Sequence, residues 1–234
     1  YSADLKYVFK VAHELKKVIS KYKIIVTKST VPVTTGDEIE KILIKQKKNK
    51  LIDVVSNPEF LREGEAIRDF IYPDRVIIGT DSEKANKILK SLYLPIIKKT
   101  SRYYKTSRRS AELIKYASNA FLATKITFIN ELANLTEKTA IDIKDISLGM
   151  GLDERIGERF LRAGPAFGGS CFPKDTRALI NIGKKFKIDL SIVKNVIRSN
   201  EKRKNLLTKK VESILNGNLK NKIISFLGVT FKPN

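Results

Sequence analysis

The only cysteine of the chain lies in a glycine-rich segment that could carry covalent chemistry. Residues 164–175 read Gly-Pro-Ala-Phe-Gly-Gly-Ser-Cys-Phe-Pro-Lys-Asp, with Cys171 as the single thiol. The glycines let the backbone turn sharply and approach a ligand closely. Because Pro173 suits the first turn of a helix, we expect the thiol at the positive end of a helix dipole, with Lys174 beside it. Both features favour the reactive thiolate, so the segment predicts a nucleophile; the alternative is a buried structural cysteine.

A lysine and an asparagine on the longest predicted helix form a second candidate group. The helical pattern runs from about residue 107 to residue 139, and its middle is apolar nearly all round, so we expect a buried central helix. Lys115 and Asn119 are four residues apart, and therefore one turn apart on one face. Polar groups on a buried helix need partners. The alternative is a surface lysine with an asparagine bonded to nearby backbone.

Two further polar residues follow predicted strands. The apolar runs at residues 23–27 and 51–55 are typical of short buried strands, and Thr30 and Glu59 come shortly after them. Ligands of parallel α/β sheets bind at the carboxyl ends of the strands. We therefore expect both residues at a ligand-binding edge.

Short apolar strands alternate with amphipathic helices along the first hundred residues, which indicates parallel βαβ construction. A third strand is predicted at residues 75–79, and helices are predicted at about 5–19, 35–46, 82–92, 142–150, 174–186 and 190–215. The apolar run after residue 222 predicts the first strand of another α/β domain. The expected fold is α/β: the C-terminal part of a Rossmann-like parallel sheet (residues 1–105), a central helix with a helical middle domain (106–216), and the start of a truncated second α/β domain (217–234).

The composition excludes several classes of protein. The single cysteine rules out an internal disulfide framework and fits a reducing compartment, and no apolar run approaches the ~20 residues of a membrane span. We expect a soluble, cytoplasmic protein without membrane contacts. The formal charge of +21 comes from 46 Lys and Arg against 25 Asp and Glu. The lysines are scattered and no nucleic-acid motif is present, so dedicated nucleic-acid binding is not predicted, and neither is a metal site.

Five segments of the chain match a known pattern in the correct order. They are Lys-Ser-Thr-Val-Pro-Val at 28–33, Asn-Pro-Glu-Phe-Leu-Arg-Glu-Gly at 57–64, Asn-Ala-Phe-Leu-Ala at 119–123, Phe-Gly-Gly-Ser-Cys-Phe-Pro-Lys-Asp at 167–175 and Gly-Val-Thr-Phe-Lys-Pro-Asn at 228–234. With these segments the chain resembles the UDP-glucose/GDP-mannose dehydrogenase family, and within it the UDP-glucose 6-dehydrogenases. The likeness covers essentially all of the chain, which makes it highly specific.

The resemblance implies a four-electron oxidation of the C6 alcohol of UDP-glucose to a carboxylate, with two NAD. A first oxidation gives an aldehyde, which a thiolate traps as a thiohemiacetal; a second gives a thioester, which water hydrolyses. Cys171 matches the nucleophile of this reaction. The other catalytic matches are Lys115 and Asn119, which stabilise oxyanions at C6, Asp175 and Thr30, which position water or assist proton transfer, and Glu59, the carboxylate of the hydrolysis step.

The resemblance also implies binding residues. The substrate-binding matches are Glu59, Phe60, Leu61, Arg62, Glu63, Lys115, Asn119, Arg155, Phe167 and Gly168. The cofactor-binding matches are Thr30, Glu63, Cys171 and Lys174, and Lys232 matches a position close to substrate or cofactor. In the family, the arginine matched by Arg155 reaches the neighbouring subunit's site across a homodimer formed largely through the central helix. A local ion pair is the alternative for Arg62 with Glu63, and plain surface charge is the alternative for Arg155.

The chain departs from the family pattern at both ends. Family members open with a glycine-rich NAD fingerprint and close with a complete second α/β domain, and this sequence contains neither. We therefore expect a piece that is truncated at both ends and inactive by itself, because the phosphate cradle for NAD is missing. The leading hypothesis is a truncated NAD-dependent UDP-glucose 6-dehydrogenase. The alternatives are a GDP-mannose dehydrogenase and a non-catalytic dimerisation or nucleotide-sugar-binding module.

Overall fold

The chain folds into two compact units. The computed structural model describes residues 4–44, 51–97, 102–225 and 227, and the division between the units falls between Ala117 and Ser118. The elements of the first unit are α1 (Lys6–Val18), β1 (Lys23–Thr27), α2 (Thr35–Leu43), β2 (Ile52–Ser56), α3 (Ala66–Ile71), β3 (Arg75–Gly79), α4 (Glu83–Tyr93), β4 (Arg102–Thr106) and the start of α5 (Arg108–Thr139). The second unit contains the rest of α5, α6 (Ile143–Gly151), α7 (Phe172–Lys185) and α8 (Ser191–Ile214).

The four strands of the first unit form one sheet in the order β1-β2-β3-β4. β1 and β2 are parallel, as are β3 and β4, whereas β2 and β3 are antiparallel and pair at Ser56 and Gly79. The α/β class and the parallel pairs are confirmed, but the sheet is mixed rather than parallel throughout. A parallel connection needs a crossover packed on the sheet, and α3, the only helix between β2 and β3, has no buried residue.

Two apolar clusters cover the two faces of this sheet. Successive side chains of a strand point to opposite faces, so Ile52 and Val54 pack with α1 and α2, while Val55 packs with β3 and α4. Fully burying such a side chain contributes about 1.5–3 kcal/mol to folding. The clusters therefore fix the strand ends, from which the candidate site loops leave.

The second unit is helical. Its apolar cluster joins Ala123 of α5 and Val196 of α8 to Phe167 and Phe172, which lie on either side of Cys171. Packing in this unit therefore converges on the segment that leads to Cys171.

Helix α5 corrects one expectation. The sequence predicts a buried central helix, yet its apolar residues Phe121, Phe128 and Leu135 are 66%, 49% and 60% exposed. The buried residues of α5 include Tyr116 and Ile129, but most are smaller or more polar, as Ala123 and Asn130 are. An apolar pattern shows that a face avoids water, but it does not show whether its partner lies in the same chain.

The predicted strand near the end of the sequence does not form over residues 222–225, which have no regular secondary structure. A lone strand has no neighbour to pair with. Residues 226 and 228–234, which include the 228–234 motif and Lys232, lie outside the described residues. Among the helices in the described ranges, none is both long and apolar enough to cross a membrane.

Candidate active site

Thr30 and Glu59 lie in the loops that follow β1 and β2. The Nζ of Lys28, in the first loop, donates to Oδ1 of Asn57, in the second, at 3.1 Å. Asn57 is buried, and its Nδ2 donates to the carbonyl oxygen of Ile77 at 2.8 Å. Both loops are thereby tied to the sheet and to each other at the strand ends where ligands of α/β proteins bind.

Lys115 is a buried cation of the first unit. Its side chain is 5% exposed, and its Nζ donates to Oε1 of Glu59 at 3.2 Å. The ammonium also lies 5.2 Å from the ring centroid of Phe60, within range of a cation–π contact. The other oxygen of Glu59 accepts from the backbone N–H of Leu61 at 2.6 Å. The surface-lysine alternative is wrong, because this ammonium is desolvated and paired.

Arg62 forms a surface ion pair with Asp69. Its Nη2 lies 2.6 Å from Oδ1 of Asp69, with the arginine side chain 53% exposed. The hydrogen bonds between them raise the pKa of the Arg62 guanidinium and lower the pKa of the Asp69 carboxyl. Glu63 lies in the exposed turn that follows Arg62.

Cys171 is the N-cap residue of α7, and its side chain is exposed. Pro173 occupies the first turn of that helix, as the sequence predicts, and the Sγ of Cys171 lies 3.6 Å from Oγ of Ser170. The residue before that serine, Gly169, has φ 73°, a left-handed conformation that favours glycine. The exposed thiol excludes the alternative of a buried structural cysteine.

Phe167 and Gly168 precede the thiol in different environments. Phe167 is buried, and its ring meets that of Phe172 edge to face with centroids 6.1 Å apart. A Cβ at Gly168 would meet no described protein atom within 4 Å. Packing among the described residues therefore does not explain the glycine, whereas close approach of a ligand would.

Asp175 organises the polar side of the cysteine segment. It is 1% exposed, and its Oδ2 accepts from Nδ2 of Asn119 at 2.6 Å while its Oδ1 accepts from Nζ of Lys174 at 2.8 Å. The backbone N–H of Asp175 donates to the carbonyl oxygen of Cys171 at 2.8 Å. The carboxylate thus lies in the same helical turn as the thiol and fixes the buried amide of Asn119.

Arg155 forms an exposed ion pair with Asp153. Its Nη2 lies 2.6 Å from Oδ2 of Asp153, and the arginine side chain is 89% exposed. Within one chain, Arg155 is therefore a surface residue, as the alternative of plain surface charge predicts. A role toward a second subunit stays a prediction.

The role of a buried carboxylate beside the candidate site was not predicted from the sequence. Glu112 on α5 is 3% exposed and accepts from the backbone N–H groups of Thr34 and Gly36, both at 2.8 Å, and from Oγ of Ser56 at 3.0 Å. Burial raises the pKa of this carboxyl, and the hydrogen bonds only partly oppose the shift. Glu112 thus caps α2, whose own N-cap side chain makes no capping bond. One signal was available in the sequence: Glu112 lies three positions before Lys115, and therefore on the same face of a helix that was expected to be buried.

Comparisons with known proteins identify the family of this chain. The family model of the UDP-glucose/GDP-mannose dehydrogenase family, NAD binding domain, matches residues 1–97, and that of the same family's central domain matches residues 109–202. A UDP-glucose 6-dehydrogenase of Rickettsia typhi is 49% identical over 230 residues, which are 98% of this chain and 52% of that protein.

Solved structures agree in fold. A UDP-glucose dehydrogenase from the archaeon Pyrobaculum islandicum has a TM-score of 0.86 at 39% identity, with 92% of this chain and 50% of that chain covered. A GDP-mannose dehydrogenase from Pseudomonas aeruginosa has a TM-score of 0.60 at 29% identity, with 91% and 50% covered. The chain spans about half the length of the curated relatives it matches. Because the two family models together match more than half of its residues, the chain belongs to the UDP-glucose/GDP-mannose dehydrogenase family.

Proposed function

We propose that this chain carries catalytic residues of an NAD-dependent UDP-glucose 6-dehydrogenase, which oxidises C6 of the sugar to a carboxylate. The observation that carries the proposal is the exposed Cys171 at the N-terminus of α7, one turn from a buried Asp175 that holds Asn119. An exposed thiol at a helix N-terminus has the environment of a nucleophile. The 49% identical relative named UDP-glucose 6-dehydrogenase supports the choice of substrate.

Cys171 supplies the nucleophile. Its sulfur attacks the C6 carbon of the aldehyde, a carbon–sulfur bond forms, and the thiol proton ends on the former carbonyl oxygen, which gives a thiohemiacetal. Oxidation of that adduct gives a thioester, and water then releases the carboxylate and restores the thiol. NAD, when bound, supplies the hydride acceptor for both oxidations.

Lys115 and Asn119 stabilise the charge that develops on the C6 oxygen. A buried ammonium and a fixed amide are effective donors, because they are already oriented before the reaction begins. Glu59 holds Lys115 and Asp175 holds Asn119, so each donor has its own carboxylate partner. Such partners limit the positions that the donors can adopt.

Glu59 is also proposed to activate the water of the hydrolysis step, with Thr30 and Asp175 assisting proton transfer. Its side chain is 31% exposed, so water can reach it while the carboxylate contacts the buried ammonium. The residues proposed to line the sugar nucleotide are Phe60, Leu61, Arg62, Glu63, Phe167 and Gly168. The open space around Gly168 supports that role.

The residues of this chain could hold part of an NAD molecule. The loops after β1 and β2 offer Thr30 and Glu63 at the carboxyl ends of two parallel strands, the edge at which α/β proteins bind dinucleotides. Cys171 and Lys174 complete the proposed contacts with the cofactor. Because Cys171 is also the proposed nucleophile, these residues are assigned to the reactive end of the cofactor.

A homodimer through α5 is part of the proposal. Phe121, Phe128 and Leu135 are spaced seven residues apart and exposed, which is the pattern of a helix face that packs on another helix. Arg155 is proposed to act in the site of the second subunit. The expected cytoplasmic location and the absence of nucleic-acid binding stay predictions.

Ligand-induced stabilisation distinguishes the two substrates. A ligand at about five times its Kd adds roughly 1 kcal/mol to the free energy of unfolding, which corresponds to about 2–4 °C in Tm for a chain of this size. We expect this shift with UDP-glucose and a smaller one with GDP-mannose at equal concentration, with UDP alone as the control. A larger shift with GDP-mannose would make the chain part of a GDP-mannose dehydrogenase.

A further inference from the structure

The loop that leads to Cys171 is flexible by composition. Residues 164–170 contain Gly164, Gly168 and Gly169, and glycine loses more conformational freedom on folding than any other residue. If this loop were free, it would spread the thiol over many positions. The structure shows which side chains restrict it.

Asn200 on α8 holds the middle of the loop. Its side chain is buried, its Oδ1 accepts from the backbone N–H of Phe167 at 2.8 Å, and its Nδ2 donates to the carbonyl oxygen of Phe167 at 3.0 Å. One carboxamide thus satisfies both backbone groups of one residue. A shorter side chain could not reach, and a carboxylate could make only one of the two bonds.

A second attachment holds the start of the loop. The N–H of Gly164 donates to Oδ1 of Asn130, on α5, at 2.8 Å, and the carbonyl oxygen of Gly164 accepts from Nε of Arg203, on α8, at 3.1 Å. Arg203 also donates from Nη1 to the carbonyl oxygen of Asn130 at 3.3 Å and bonds to Asn134. The two helices therefore hold the same glycine from two directions.

The far end of the loop is held by aromatic packing. The ring of Phe167 meets that of Phe172, which follows Cys171, and Phe172 meets Phe160, each at 6.1 Å between centroids. Only residues 168–171 lie between the two anchored phenylalanines. The position of Phe167 therefore sets how far the sulfur can move.

We propose that Asn200, with Asn130 and Arg203, is a latch that positions Cys171 for attack on the substrate aldehyde. The proposal rests on the proposed function, in which Cys171 is the nucleophile. The latch residues act through the loop backbone and are positioning residues. Because a displacement of about 1 Å can slow an oriented reaction about 100-fold, losing the latch should impair chemistry at the thiol without removing the thiol.

The test compares an oriented reaction with an unoriented one. The oriented reaction is capture of UDP-6-aldehydo-glucose by Cys171, and the unoriented one is alkylation of the same thiol by iodoacetamide. We expect Asn200→Ala to slow capture by about 10-fold to 100-fold while alkylation stays near the wild-type rate. The matched control is Asn205→Ala, on the same helix and exposed, in the same groove of about 480 Å³ between α5 and α8. We expect this control to leave both rates unchanged.

Each outcome is decisive. Equal capture by Asn200→Ala and the wild-type chain, or a parallel fall of both rates, would overturn the latch. If Asn200→Ala does not fold, Arg203→Lys replaces it, because a lysine keeps one donor but loses the fork that joins Gly164 to Asn130; unchanged capture in that variant overturns the latch. If the wild-type chain itself captures no aldehyde, the proposed function fails, and the latch fails with it.

Discussion

Replacing Asp175 by alanine is expected to slow aldehyde capture at Cys171 by about 100-fold or more, the usual effect of disturbing one oriented oxyanion donor. The variant removes the acceptor that holds Nδ2 of Asn119 at 2.6 Å and the partner of Lys174. The amide of Asn119 is then free to turn away from its proposed position at the C6 oxygen. The rate of thiohemiacetal formation, followed by native mass spectrometry, measures the effect.

Two further variants separate geometry from charge at this position. Asp175→Asn keeps an acceptor for Asn119 but removes the charge beside Lys174, so we expect a smaller loss than in Asp175→Ala. The matched control is Asp189→Ala, since Asp189 is 63% exposed and pairs with Lys194 at the surface of the same unit. If Asp175→Ala captures the aldehyde at the wild-type rate, neither the carboxylate nor the orientation of Asn119 matters for the reaction.

Replacing Glu112 by alanine is expected to lower the free energy of unfolding of the first unit by about 3 kcal/mol or more, because each buried donor left unsatisfied costs about 1–3 kcal/mol. The carboxylate accepts three hydrogen bonds, from Thr34, Gly36 and Ser56. Helix α2 would lose its cap, and the link between the start of this helix and Ser56 at the end of β2 would be lost. Urea unfolding, with hydrogen exchange at the Thr34 and Gly36 amides, measures the loss.

The same residue predicts a pH dependence. Burial raises the pKa of Glu112 in the folded state, so the folded protein binds this proton more tightly than the unfolded chain does. The stability that comes from binding this proton is therefore fully present below the ordinary carboxyl pKa and is lost as pH rises from that value through the raised one, whereas the three hydrogen bonds that the carboxylate accepts remain. Glu112→Gln should remove this part of the pH dependence.

Glu83→Ala is the control for Glu112, since Glu83 is an exposed residue of the same unit that pairs with Lys105. Exposed ion pairs contribute little to stability, so this variant should unfold like the wild-type chain. Equal stability of Glu112→Ala and Glu83→Ala would contradict the capping role.

Local patterns were sufficient to predict most of the fold. The apolar runs of β1 and β3 predicted both strands with the bounds that the structure shows, and helical spacing predicted α5 to within a residue. β4 was missed because its sequence, Arg-Tyr-Tyr-Lys-Thr, is polar and half exposed at a sheet edge. α3 was missed because it is only six residues long, too short for a clear helical period, and none of its residues is buried. The antiparallel pairing of β2 with β3 depends on a long connection, and local patterns do not determine it.

The sequence predicted the local features of the candidate site but not its long-range contacts. Cys171, Asp175 and Pro173 lie within five residues, so the sequence alone placed the thiol at a helix N-terminus, where the structure has it. The hydrogen bond between Gly36 and Glu112 joins residues that are 76 positions apart, and the one between Phe167 and Asn200 joins residues that are 33 positions apart. No periodicity within one segment reports such contacts, because they depend on how separate elements pack.

Covalent capture of a substrate aldehyde shows whether Cys171 is a nucleophile in a sugar-nucleotide site. The wild-type chain and Cys171→Ser are each mixed with UDP-6-aldehydo-glucose, with and without excess UDP-glucose, and analysed by native mass spectrometry with peptide mapping. We predict one adduct on Cys171 of the wild-type chain, none on Cys171→Ser at matched times, and suppression by UDP-glucose. An adduct elsewhere, or capture at Cys171 that UDP-glucose does not suppress, would contradict a catalytic thiol in a sugar-nucleotide site and favour a non-catalytic module.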